Sequence, residues 1–327
     1  MTKWLPVLAL LLLTAAGKPW DWGTPAGVPL PVVPDGNAMS GAKVELGRRL
    51  FYDADLSVNG TLSCAGCHEQ KRGFADGNAT RPGVHGDPGR RNVPGLANVA
   101  WRARLTAADP SLTTLEAQIL VPLLGEDPVE LGMKGKEAEL SRRLGSDACY
   151  RRMFRRAFPE GKGQVSLDAI TAALAAFQRT MISLDSPHDR HRRGEAGAIS
   201  VEAQKGAALF VARGCAACHA GQDFTDDDYH RLEKSGGSKD RGLAEATGKP
   251  GDAGRFRTAP LRNVAVTGPW WHDGSAQTLE DAIRRHDMGV DQDETALLRA
   301  FLDSLTDRTF LTDPRFAMPD RACGRKL

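Results

Sequence analysis

The sequence predicts an all-α protein made of two related helical modules, and three observations carry that expectation. First, a segment recurs: LGRRLFYDADLSVNGTLSCAGCH at residues 46–68 is echoed by GAALFVARGCAACH at 206–219. Each copy leads from a Leu-Phe pair into CxxCH, and each is followed by a second echo, PGLANVAW at 94–101 and PLRNVAVTGPWW at 260–271. Self-similarity of this kind marks a duplicated unit. Second, the longest apolar patterns have helical period. Leu167, Ile170, Leu174, Phe177 and Met181 share one face behind a capping Ser166, and Leu297, Leu298, Phe301, Leu302 and Leu305 repeat the pattern later. Third, the alternation expected of strands is almost absent.

The chain has 327 residues, 41% hydrophobic and 26% charged, which suffices for two cores and excludes disordered and coiled-coil classes. Its 43 basic and 41 acidic residues leave a net charge of +2, too balanced for a nucleic-acid binder. Lys3 precedes an apolar run over residues 4–16 that ends in small residues. A bilayer-spanning helix needs about 20 apolar residues, so residues 1–17 read as a signal peptide, the alternative being an uncleaved anchor. No Cys follows to carry a lipid. The mature chain is therefore expected to be periplasmic, with no membrane span once the signal is removed. Residues 18–40, rich in Pro and Gly, read as an extended arm. Residues 41–195 form a first module and 196–310 a second, joined in the polar stretch 186–200, and 311–327 form a C-terminal tail.

Chemistry enters through the two CxxCH motifs, Cys64-Ala65-Gly66-Cys67-His68 and Cys215-Ala216-Ala217-Cys218-His219. This is the attachment signature of c-type haem: two thiols add to the vinyl groups, and the adjacent His binds iron from the proximal side. With 6 Cys and 8 His in the chain, chance supplies on the order of 0.003 such strings. A zinc site would want four ligands, commonly from motifs close in sequence, and a redox dithiol has no need of the trailing His twice. Two cytochrome c-like modules, each with one covalent haem, are expected. Cys149 and Cys323 remain, either as a disulfide or with one as a buried thiol.

The sixth iron position decides between binding an oxidant and passing electrons. In TLEDAIRRHDMG, Thr278 starts a helix on which Leu279, Ala282, Ile283 and His286 share one face, so His286 points with the apolar residues. Met288, about 200° further round, is the other candidate. His85, in a Gly/Pro-rich loop, either caps the first iron or is a solvated loop residue.

These motifs, with RRNVPGLANVAW, LEAQILVPLLGEDPVELGM, FTDDDYH and LRNVAVTGPWWHDGSAQTLEDAIRRH, resemble the bacterial di-haem cytochrome c peroxidase and MauG superfamily over residues 40–306. PLLGEDPVELGM together with NVAW looks closest to the MbnH-like subgroup, whose namesake uses peroxide to oxidise a Trp of a partner protein. The resemblance implies a high-spin peroxide site on His68, with Gln118, Pro122 and Glu130 on its distal side. It implies a low-spin electron-transfer haem on His219, with His286 where classical peroxidases have Met and MauG has Tyr. Trp101 matches the tryptophan between the haems. Asn92 by its side chain, with Thr267 and Pro269 by their carbonyls, match a calcium site. The implied oxidant is hydrogen peroxide, and the implied partner is either a small redox protein or a protein whose side chain is oxidised. A carboxylate such as Glu130 suits proton delivery during O–O cleavage. A di-haem carrier without catalysis is the competing class. Arg213 stands where MauG has a surface Trp, which leaves Trp270 and Trp271 as candidate exits.

Overall fold

The computed structural model describes residues 20–232 and 239–326; the expected signal peptide lies outside them. Helices dominate, as expected. In chain order they are α1 (Gly41–Phe51), α2 (Cys64–Cys67), α3 (Leu115–Leu124), α4 (Glu137–Ser146), α5 (Ala148–Ala157) and α6 (Leu167–Arg179), then α7 (Pro187–Arg192), α8 (Val201–Ala212), α9 (Ala244–Thr247), α10 (Leu279–Arg284), α11 (Gln292–Asp303) and α12 (Arg308–Thr312). Two antiparallel two-residue ladders complete the fold: β1 (Tyr229–His230) with β2 (Phe256–Arg257), and β3 (Arg321–Ala322) with β4 (Arg325–Lys326). No described helix is long and apolar enough to cross a membrane.

The duplication is visible as two equivalent helix pairs. In the first, α1 packs on α6; in the second, α8 packs on α11. Each pair touches through a glycine. A Cβ at Gly47 would stand 1.9 Å from the Ala173 carbonyl oxygen, and one at Gly206 would stand 2.0 Å from that of Leu297. The backbones approach because no side chain intervenes. Gly206→Ala should therefore destabilise the protein by about 1–3 kcal/mol, the range of overpacking penalties, read as a lower urea midpoint; an unchanged midpoint would show the contact to be soft. The helices start where their sequences dictate: Ser166 accepts from the Ala169 N–H, and Asp291 and Glu294 form a reciprocal capping box.

The two modules are stitched by matched asparagines in the left-handed region, Asn98 at φ 58° and Asn263 at φ 61°. Asn98 Oδ1 accepts the Ser183 N–H at 2.7 Å just after α6, and Asn263 Oδ1 accepts the Asp307 N–H at 2.8 Å just after α11. Asn263 Nδ2 then donates to Ser183 Oγ and Asn98 Nδ2 to Asp223 Oδ1, so the asparagine of each module also binds a side chain of the other. The polar stretch 186–200 is itself ordered against the second module. Asp189 caps α7 through Ser186 and takes a bidentate Arg262.

From α12 onward the chain returns to the first module. Phe310 and Phe316 pack on Phe74 at 5.6 and 6.4 Å and join the core of Leu46, Phe51 and Phe177. Tyr52 donates to the Phe316 carbonyl and Arg48 to that of Ala317. Cys149 and Cys323 are bridged across 174 residues, which resolves the open alternative. A loop that long places the bond's entropic contribution at about 2–4 kcal/mol or more. Cys149→Ser/Cys323→Ser should lower the denaturation midpoint accordingly, and an unaltered midpoint would mean the aromatic packing alone holds the tail.

Candidate functional site

Both CxxCH segments are built the same way. Phe51 precedes the first and lies 6.4 Å from the His68 ring; Phe210 precedes the second and lies 6.4 Å from the His219 ring. Beyond each motif a phenylalanine in the left-handed region turns its carbonyl back, Phe74 at φ 63° and Phe224 at φ 54°. His68 Nδ1 donates to the Phe74 oxygen at 2.6 Å, and His219 Nδ1 donates to that of Phe224 at 3.0 Å. Donation from Nδ1 fixes the tautomer and leaves Nε2 for a metal. Burial holds both rings neutral, with the His219 pKa pushed down to about 4. Burial also raises the thiols, Cys64 to about 12 and Cys67 to about 11.

What faces each pair differs. The His286 ring lies 6.2 Å from the His219 ring, with its Nδ1 donating to the Ala282 carbonyl at 2.8 Å. Two imidazoles on one metal, at about 2.0–2.1 Å per metal–nitrogen bond, put the ring centres about 6.3 Å apart, so this spacing fits an iron between them. The sequence expectation differs in one detail. His286 is not within α10 but two residues past its end, in a tight last turn closed by its own N–H on the Ile283 carbonyl. Met288 is exposed, against Gly214. Trp271, also in the left-handed region at φ 73°, stands 5.6 Å from His286 with its buried Nε1 unpartnered. A buried N–H without a protein partner fits a site completed by a group outside the polypeptide.

In the first module a carboxylate lies near the attachment cysteines, and α3 carries an amide. α3 begins at Thr114, which accepts from the Ala117 N–H, and carries half-buried Gln118 and Pro122 one turn apart. The Pro122 carbonyl accepts the Leu131 N–H, and the Glu130 carbonyl accepts the Val84 N–H, so Glu130 is fixed between α3 and the loop carrying His85. Its carboxylate lies near enough to Cys64 and Cys67 to help raise both thiols. Burial raises the Glu130 pKa itself. His85 is exposed, its Nε2 close to the Gly132 backbone.

Trp101 ends a short turn before Arg102 and donates from Nε1 to the Pro29 carbonyl at 2.7 Å, so the N-terminal arm lies on it. Asn92 Nδ2 donates to the carbonyls of Asn78 and Ala79, turning Oδ1 away from them, and its backbone N–H binds the His272 carbonyl. That bond brings Asn92 beside the 267–272 segment that carries Thr267 and Pro269. A cavity of about 530 Å³ opens between the modules, lined by Lys71, Arg72, Pro269 and Trp270.

The carbonyls of Phe74 and Phe224 were missed in the sequence, although FAD and FTD recur after the two motifs. The contact of Pro29 with Trp101 had no signal at all. One further cluster, Cys218, Asp226 and His230, has metal-ligand character, but Cys218 belongs to the attachment motif.

A family described as di-haem cytochrome c peroxidase matches residues 41–197. The chain is 35% identical to the methylamine utilization protein MauG of Methylorubrum extorquens, over 78% of this chain and 71% of that one. It is 33% identical to the cytochrome c551 peroxidase of Pseudomonas aeruginosa, over 87% and 83%. Among solved structures, a MauG-like protein associated with microbial copper homeostasis superposes with a TM-score of 0.87 at 38% identity, covering 92% of this chain and all of that one.

Proposed function

Because this chain belongs to the di-haem cytochrome c peroxidase family, which includes MauG, and is thus a peroxidase-type oxidoreductase, we propose that it reduces hydrogen peroxide beside His68 with electrons taken from a partner protein's side chain. The family implies two haems, and each supplies, when bound, an iron that exchanges electrons one at a time. Cys64, Cys67 and His68 hold one; Cys215, Cys218, His219 and His286 hold the other.

The chain's own residues then divide the work. Peroxide takes up two electrons and two protons and leaves as two waters. Glu130 accepts a proton from the entering peroxide and returns it to the departing oxygen. The Gln118 amide orients the oxidant, and Pro122 keeps water off the same wall. Trp101 would relay between the modules, and half-buried Trp271, 5.6 Å from His286, is the candidate exit. Asn92, Thr267 and Pro269 offer oxygen donors suited to calcium. The work takes place in the periplasm, after removal of residues 1–17.

The observation that carries this reading is the asymmetry between the two sites: an imidazole faces His219, whereas the half-buried carboxylate of Glu130 lies near the cysteines of the first CxxCH, its neighbour Leu131 bonded to α3, which carries Gln118. A second imidazole is a stronger donor than a thioether and lowers the potential, which suits a centre that stores an oxidising equivalent. That favours a protein substrate over a high-potential donor. Titrating the purified ferric protein with peroxide, with optical and EPR detection, should deplete a high-spin signal and change both haems without prior reduction. A purely low-spin spectrum inert to peroxide would make the protein a carrier. A requirement for prior reduction, with turnover of a small reduced cytochrome, would favour simple peroxide removal, the activity named for the peroxidase relatives.

A further inference from the structure

Opposite charges pair over much of this surface: Arg90 with Glu245, Lys134 with Glu126, Arg142 with Glu139, Arg285 with Asp281 and Arg299 with Asp303. One region departs from that rule. The inner face of α5 buries Tyr150, Phe154 and Ala157, and its outer face exposes Arg151, Arg152, Arg155 and Arg156. The Cys149–Cys323 bridge pins the β3–β4 hairpin to the start of this helix, adding exposed Arg321, Arg325 and Lys326. At the other end, Arg155 Nε reaches the Lys162 carbonyl, which adds an eighth cation. Among the described residues none of the eight has a carboxylate within 4.0 Å, and the same segments carry only Glu160 and Asp320 as further exposed acids. In a chain with a net charge of only +2, this concentrates positive potential on one face.

The guanidinium groups are also held in place. Arg151 donates to the carbonyls at the end of α4, Arg152 to that of Cys323 and Arg321 to that of Gly324. A guanidinium has five N–H groups, more than these bonds use, and a fixed guanidinium fork matches a carboxylate in two parallel bonds. We propose that this disulfide-pinned basic face is the docking surface for an acidic protein; the inference rests on the reading above that a protein partner exists. A membrane is the poorer occupant. Interfacial helices insert their apolar face into lipid, and that face of α5 is already buried in the core.

The test uses the di-haem protein and a fluorescent polyglutamate peptide, with anisotropy read at low and physiological salt. Arg152→Glu/Arg155→Glu/Arg325→Glu should weaken binding about tenfold or more and remove most of its salt dependence, as expected for a focused charge contact. Lys205→Glu/Arg241→Glu/Lys249→Glu changes the net charge equally from elsewhere and should alter affinity less than about twofold. Equal losses in the two variants, or no binding by the parent at low salt, would overturn the proposal. So would binding to phosphatidylglycerol vesicles that depends on the three arginines while the peptide is ignored. The neutral Gln triple variant, with haem absorbance and circular dichroism unchanged, guards against misfolding and should give an intermediate loss. Peroxide titration separates the two readings: a protein that reacts with peroxide but binds the peptide indiscriminately loses only this surface. One that binds the peptide through the three arginines but is inert to peroxide loses the peroxidase reading.

Discussion

Replacing Glu130 with Gln should slow peroxide reduction by roughly 10²-fold or more while both haems stay attached. The expectation follows from the placement of the side chain. Main-chain bonds on either side, to Val84 and between Leu131 and Pro122, fix the residue against α3. Gln preserves that backbone and the side-chain volume and removes only the ability to take and return a proton. Burial raises the carboxyl's pKa above the ordinary glutamate range, so the ionised, proton-accepting form is lost earlier on acidification than for an exposed Glu. The parent rate should therefore fall as pH drops through that raised pKa, and the Gln variant should lack that limb. A variant as fast as the parent across the pH range would remove Glu130 from the chemistry.

His286→Ala should convert the second haem from low to high spin, giving two high-spin signals in the ferric EPR spectrum. The ring is held on two sides, by its Nδ1 bond to Ala282 and by its packing at 6.2 Å from His219 and 5.6 Å from Trp271. The other candidate offered by the sequence, Met288, is 44% exposed and would have to leave solvent to replace it. Persistence of a low-spin signal in the variant would mean that Met288 makes that move. Stored oxidising equivalents should also be lost more quickly in the variant, which can be followed as faster decay of the peroxide-induced optical change.

The parts of this molecule legible from sequence are those whose information is local or repeated. CxxCH is readable because thioether attachment and iron ligation need three side chains at fixed spacing. Ser166 and Thr278 are readable because a hydroxyl before an apolar run satisfies free N–H groups, and both do so here. His286 is readable through its spacing from Ala282, although the helix ends before it. The carbonyls of Phe74 and Phe224 were illegible because any residue has a carbonyl; what singles them out is a left-handed backbone seen only in three dimensions. Asn98 and Asn263 sit inside quoted motifs, but their partners lie 80 residues or more away along the chain for Ser183. Likewise nothing in the spacing of Phe310 and Phe316 announces that they belong to the first core rather than the second.

The return of the C-terminal segment to the first module has a temporal consequence. The ring pair of Phe310 and Phe316 that backs Phe74, and the cysteine that bridges to α5, follow the second module along the chain and are made after it. The half synthesised first cannot finish its interior until the segment from Phe310 onward has been made. Severing the polypeptide midway should accordingly yield an incomplete early half, however well the later half assembles alone.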